Sequence, residues 1–273
     1  MKLGCCAPIE QYEELYKLGY DFIELSGQEV AGLTEVDVLQ IADKIQTCDL
    51  PCEGFNAYCG ENVPMVGPGY SMTKSKEYAF DVCRKGNLLG VRKIGIGSPR
   101  ARILPEGYDL EKADKQMREF LTITAEEADK FGITVLYEAL NPLICDYGKS
   151  TIHALEIVKE LNLKNLFLVL DFHHMVMAEE SVDKLEYVMP WVKHLHINGI
   201  GDDKRKHFIE KKDADFCRRA LGSAYACGYR GTVSIEALYS ADSFSEDAGR
   251  SLLLLREILL SIDNENMETN HKN

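Results

Sequence analysis

The chain has 273 residues, 45% hydrophobic and 27% charged, an ordinary balance for a soluble protein whose core is large enough to need no staple. Its formal charge of −13 argues against a nucleic-acid partner, because phosphate binding needs a field of the opposite sign. No run approaches the roughly 20 apolar residues of a membrane span, and the start, Met1-Lys2-Leu3-Gly4-Cys5, lacks a signal-peptide core, so a cytoplasmic protein without membrane contact is expected.

In chain order, short β-branched runs alternate with longer amphipathic ones. Residues 2–7 read as a strand, with Pro8 in the first turn of a helix over 11–18 that Gly19 ends. A strand at 22–25 precedes a helix at 36–48, and a strand at 52–58 precedes a Gly/Pro-rich loop and a helix at 74–89. Residues 93–97 form a fourth strand, and 110–131 a long helix closed by Gly132. Strands at 134–138, 167–171, 194–198 and 232–236 follow, with helices at 150–161, 181–189, 213–227 and 245–262. Residues 263–273 are polar and unpatterned, and a disordered tail is expected there.

Eight strand-helix units in strict alternation predict an all-parallel α/β sheet. The simplest closure is a single (β/α)8 TIM barrel over residues 1–262, close to the ~250 residues typical of that fold. A doubly wound open sheet would place a Gly-rich phosphate turn after its first strand; here Ala7-Pro8-Ile9 follows it. Gly95-x-Gly97 comes nearest, but Arg100 stands where the third glycine would be. The nine cysteines include no Cys-x-x-Cys pair, so buried free thiols are expected rather than a zinc ribbon or a redox motif.

The last four predicted strands each end on or hold a metal-binding side chain: Glu138, Asp171, His196 and Glu236, spaced 33, 25 and 40 residues apart. In a closed parallel barrel these side chains converge at the rim where such barrels carry their active sites. Three carboxylates and one imidazole suit one divalent cation, manganese first, with magnesium, cobalt or zinc as alternatives. Taken singly, each has a plainer reading: a strand-end carboxylate commonly caps the next helix, and a histidine between Leu195 and Ile197 is commonly a core residue.

Several runs resemble the xylose isomerase-like TIM-barrel superfamily, in particular its sugar-phosphate isomerase/epimerase and ketose 3-epimerase branch. They are Tyr137-Glu138-Ala139-Leu140-Asn141-Pro142, Leu170-Asp171-Phe172-His173-His174-Met175, His194-Leu195-His196 and Gly228-Tyr229-Arg230-Gly231-Thr232-Val233-Ser234-Ile235-Glu236. The resemblance implies that Glu138, Asp171, His196 and Glu236 are the metal ligands and that Glu138 and Glu236 form the acid/base pair. It also implies that His174, three past Asp171, contacts a substrate oxygen or the ligands' neighbours, and that Arg205 binds substrate. The plainer reading of Arg205 is a solvated residue in the run Asp202-Asp203-Lys204-Arg205-Lys206. A homo-oligomer is suggested only by the same analogy. One departure stands out: where the epimerase branch has a further glutamate, this chain has Ile144-Cys145, and the next acid is Asp146.

Glu24 and Asn56 end the second and third strands at the same rim, as substrate contacts or hydrogen-bonding supports. Arg100 and Arg102 suit either a bidentate anion site or surface ion pairs, and Trp191, before the seventh strand, suits packing at the barrel bottom. The resulting expectation is a metal-dependent isomerase or epimerase of a small polyhydroxy carbonyl compound, working by carboxylate-mediated proton transfer through an enediolate. A lyase or dehydratase of the same fold shares that intermediate and is the alternative. An abasic-site endonuclease on this barrel would want more than the seven histidines and a basic rim.

Overall fold

Strands that face a filled barrel on one side and helices on the other must be apolar on both faces, and these are buried along nearly their whole length. The structure, a computed structural model, describes residues 1–270, with side chains as far as Asn266. The strands in chain order are β1 (Lys2–Cys6), β2 (Phe22–Ser26), β3 (Cys52–Asn56), β4 (Lys93–Ile96), β5 (Thr134–Glu138), β6 (Leu166–Asp171), β7 (Val192–Ile197), β8 (Gly199–Ile200), β9 (Lys206–His207) and β10 (Thr232–Ile235). Eight of them close into a parallel barrel in the order β1-β10-β7-β6-β5-β4-β3-β2, while β8 and β9 form an antiparallel hairpin just beyond β7. This is the (β/α)8 barrel expected from the alternation.

The helices are α1 (Tyr12–Leu18), α2 (Gly27–Gly32), α3 (Glu35–Cys48), α4 (Met72–Leu88), α5 (Leu110–Asp129), α6 (Thr151–Leu161), α7 (Phe172–Met177), α8 (Ala214–Ala226) and α9 (Phe244–Asn270). Their starts are chemically marked: Ser26, Thr34, Ser71, Asp109, Ser150 and Asp171 each accept a backbone N–H in the first turn. The left-handed residues Gly19, Asp49 and Asn162 end α1, α3 and α6.

Four local features differ from the sequence reading. Residues 181–189 form turns, not a helix; their buried Val182, Leu185 and Val188 recur at helical spacing, which supplied the signal. The helix after β6 is α7, which begins at once because Asp171 caps it. The helix α2 and the β8–β9 hairpin were not foreseen. The expected tail at 263–273 is helical as far as Asn270, and its last three residues lie outside the described ones. No helix among the described residues is long and apolar enough to cross a membrane. All nine cysteines are free, and all but Cys48 and Cys227 are buried. Trp191 is partly buried against the core.

Small residues in the barrel wall make room for the large ones inside. A Cβ on Gly4 would stand 2.1 Å from the Phe22 ring, and one on Gly54 2.8 Å from Glu24 Oε1. One on Gly97 would stand 2.1 Å from Glu138 Oε2. Glu24 and Glu138 therefore fit because β3 and the residue after β4 are glycine, as Gly4 of β1 makes room for the Phe22 ring.

Candidate active site and metal centre

Parallel register assembles the four spaced residues. Asp171 lies opposite His196 across β6 and β7, and His196 lies opposite Ser234 on β10, two residues short of Glu236. One ligand atom each from Glu138, Asp171, His196 and Glu236 lies within 4.8 Å of the other three. His196 Nδ1 faces Glu138 Oε1 at 3.7 Å, Asp171 Oδ2 at 3.8 Å and Glu236 Oε2 at 3.3 Å. Asp171 meets both readings of a strand-end carboxylate. Its Oδ1 caps α7, accepting the His173 and His174 amides at 2.7 and 3.1 Å, while its Oδ2 faces the imidazole.

The ligand candidates are held from behind. Glu24 is buried beneath His196, with Oε2 3.0 Å from His196 Nε2 and 3.1 Å from Cys6 Sγ, and Oε1 3.2 Å from His194 Nε2. Burial alone would raise the Glu24 pKa, but His194 and His196 outweigh it and hold the carboxyl well below its usual range. An ionised Glu24 accepts the Nε2 proton of His196, which leaves Nδ1 as the atom aimed at the three carboxylates and, once it gives up its own proton, as the ligand atom. Burial, with Glu24 beside it, pushes the Cys6 thiol far up, so it remains a donor to Glu24. Arg102 answers neither sequence reading. It is fully buried, donating 2.8 Å to the Glu138 carbonyl and 2.5 Å to the Ile96 carbonyl, with its guanidinium 4.9 Å from the Tyr137 ring centre.

His174 Nε2 lies 3.7 Å from Glu138 Oε1 and 3.9 Å from Asp171 Oδ2. Asn141 Oδ1 accepts the Leu143 amide at 2.9 Å, which turns its NH2 toward His174 Nδ1, also at 2.9 Å. With Nδ1 accepting, the single proton of neutral His174 sits on Nε2, facing the carboxylates; burial and the nearby Lys206 ammonium lower its pKa and favour that neutral form.

Sequence reasoning missed Lys206. Its Nζ bonds Asp171 Oδ2 at 2.5 Å and also Glu236 Oε2. Burial works against the ammonium, but Asp171, Glu236 and Glu138 raise its pKa overall. In turn it is the main influence holding Asp171 and Glu236 below their usual range against burial. His196 is raised well above its usual value despite burial, with Glu236 the leading cause. The signal lay in the hairpin: Lys206 pairs with Ile200, which separates it from the exposed Lys204 and Arg205 beside it.

Two cavities open above the carboxylates. One of about 480 Å³ is lined by Asn141, Leu143, Ile144, His174, Arg205 and Lys206, among others. The second, about 280 Å³, is lined by Cys6, Ser26, Asn56, Lys206 and Glu236, among others. Arg205 thus stands at the mouth of the first and Asn56 in the second. Ile144 is 41% exposed at the first mouth. Asp146 accepts the Leu104 amide at 2.9 Å and lines a separate cavity with Asp114 and His153, so it does not take the place of the absent glutamate.

The residues present fit a hard divalent cation. Glu138 Oε1 and His196 Nδ1 are buried without a hydrogen-bond partner, which is costly unless something else engages them. Both face the same point as Asp171 Oδ2 and Glu236 Oε2. An oxygen-rich set with one imidazole is the donor chemistry of such ions.

A family model described as a xylose isomerase-like TIM barrel matches residues 12–258. No curated protein matches the sequence. Among solved structures, an L-ribulose 3-epimerase is similar at 17% identity and a TM-score of 0.80, covering 98% of this chain and 98% of its own. A D-psicose 3-epimerase studied in the presence of D-fructose gives 17% identity and 0.80, covering 95% and 99%. The IOLI protein, with a zinc atom bound, gives 17% identity and 0.71, covering 96% and 98%. At that identity these likenesses establish the fold.

Proposed function

The chain belongs to the xylose isomerase-like TIM-barrel family, and on that premise we propose that it is a divalent-cation-dependent isomerase or epimerase of a small polyhydroxy carbonyl compound. The observation that carries this reading is the convergence of Glu138, Asp171, His196 and Glu236 within 4.8 Å of one another, with two buried donors unpartnered. The sugar epimerases among the structural neighbours, and the zinc in one of them, support it.

Glu138, Asp171, His196 and Glu236 would hold the cation. Bound there, a divalent ion supplies positive charge beside the carbonyl and hydroxyl oxygens of a substrate, several kcal/mol toward an enediolate. The remaining work falls to the chain. Glu138 and Glu236, from β5 and the end of β10, serve as base and acid at carbon, for roughly a hundred- to ten-thousand-fold in rate. His174, with its proton on Nε2, donates to the oxygen that gains charge. Glu24 keeps the His196 proton on Nε2, and Arg102 anchors the backbone of Glu138. Leu143 and Ile144 flank the mouth where the epimerase branch has an acid, so the reading is a reaction class, not free-ketose 3-epimerisation in particular.

The test is to incubate the manganese-loaded protein with ketoses and keto-glycosides in deuterated water and follow deuterium at the carbon next to the carbonyl. Exchange that requires both glutamates is expected. Product formation with no exchange from solvent under any condition, or exchange that survives Glu236→Gln at the native rate, would remove the proposal.

A further inference from the structure

Lys206 occupies a place that a cation would also need. Its Nζ engages Asp171 Oδ2 and Glu236 Oε2, the same two oxygens that face His196 Nδ1. The other pair of inward donors, Glu138 Oε1 and His196 Nδ1, is left without partners. One ammonium therefore engages two of the four inward-facing ligand atoms. Among the described residues, no other lysine or arginine pairs with these carboxylates. Lys206 also lines both rim cavities, and of the residues around them only Leu238 shares that position. Lys206 therefore borders both cavities while its Nζ sits on Asp171 and Glu236.

We propose that Lys206 is a built-in counter-ion that a divalent cation displaces, and that its release joins the two cavities into one cleft above the carboxylates. The inference rests on the reading of the four residues as metal ligands. Its physical basis is competition for shared oxygens. Two positive charges in contact with the same pair of oxygens repel strongly in a partly buried site. A divalent ion brings twice the charge and also engages Glu138 and His196, so the ammonium yields. Four flexible methylenes let the lysine swing aside while staying charged, into either cavity. The empty protein is thereby held together with its acid/base carboxylate locked. Metal loading exchanges the lysine for the cation at Asp171 and Glu236 and opens the cleft in one event.

The experiment has two arms on the full chain stripped of metal. Manganese is titrated calorimetrically into wild type, Lys206→Met and Lys204→Met, the last an exposed neighbour in the same loop. Because competition is reciprocal, Lys206→Met should bind about tenfold tighter or more, while Lys204→Met stays close to wild type. In the second arm, wild type is treated with an amine-reactive reagent with and without manganese, and labelling of Lys206 is read by mass spectrometry. Labelling should be low without metal and rise several-fold with it, a readout that does not depend on how the variant folds. If manganese binds wild type but Lys206→Met binds no tighter and Lys206 stays protected, displacement is wrong and the metal reading survives. If manganese binds neither wild type nor Lys206→Met, both are wrong.

Discussion

Gly97 offers a way to move one proposed acid/base group while leaving its chemistry intact. A Cβ at this position would stand 2.1 Å from Glu138 Oε2 and 3.3 Å from its Cδ, in a range where contacts under 3.0 Å essentially never occur. In Gly97→Ala the carboxylate must therefore retreat by about 0.9 Å. Gly97 is not among the residues with positive φ, so alanine itself is not strained there. The other near neighbour, Leu140 Cδ2 at 3.7 Å, is an ordinary contact. The clash thus falls on the tip of one side chain. Misplacement of about 1 Å in a catalytic group costs on the order of a hundredfold in rate, or about 2.7 kcal/mol of transition-state stabilisation. The assay is kcat/KM for deuterium exchange beside a thermal melt and a metal determination. The expected result is a hundredfold loss with a melting temperature within a few degrees of wild type. Turnover within threefold of wild type, with metal bound normally, would refute the claim that the position of Glu138 governs the reaction.

Other outcomes follow from the supports of the site. Glu24→Gln should weaken manganese binding about ten- to a hundredfold, because the proton on His196 is no longer fixed at Nε2; unchanged affinity by titration calorimetry would sink that role. Arg102→Met leaves the Glu138 and Ile96 carbonyls without their charged donor and should cost about 2–5 kcal/mol in urea unfolding, whereas a loss under 1 kcal/mol would mean that water replaces it. Asp114 on α5 anchors the loop after β5 through Tyr147, and also pairs with His153 on α6 and with Arg118 on its own helix. Burial would raise its pKa, but those partners, led by Tyr147, bring it below the usual 3.8. The tether is therefore fully present above about pH 3.8 and is lost as pH falls through the lower folded value. Asp114→Asn should lower the amide protection factors of residues 140–150 at neutral pH and remove the loss of protection that wild type shows on acidification through the folded pKa of Asp114; protection factors identical to wild type at both pH values would contradict the tether.

The barrel was legible because every strand is short, apolar and bounded, and the ligand candidates because each ends or nearly ends a strand. Period-two alternation tells which strand residues point inward, so His194 and His196 share a face. It does not tell depth, so Glu24 reads equally as a rim contact or as the support beneath His196 that the structure places there. Arg102 was illegible because its partners are main-chain carbonyls on β4 and β5, which no side-chain pattern marks. Lys206 was hidden in a run of five charges, where only the pairing of β8 with β9 decides which cation turns inward. Residues 181–189 misled because burial at helical spacing can be met by turns when the preceding helix, α7, is already capped by Asp171. The helix beyond Ile262 was missed because it continues without an apolar stripe, on local bonds such as Asn266 to the Ile262 carbonyl.

The most direct test of the central claim is the metal content of the protein. Wild type and Glu236→Ala would be loaded with manganese, dialysed and assayed by elemental mass spectrometry. The account expects about one divalent ion per wild-type chain and its loss in the variant, with the fold of both intact by circular dichroism. No ion in wild type, or equal occupancy in both, would contradict the assignment of Glu138, Asp171, His196 and Glu236 as a metal centre and with it the proposed chemistry.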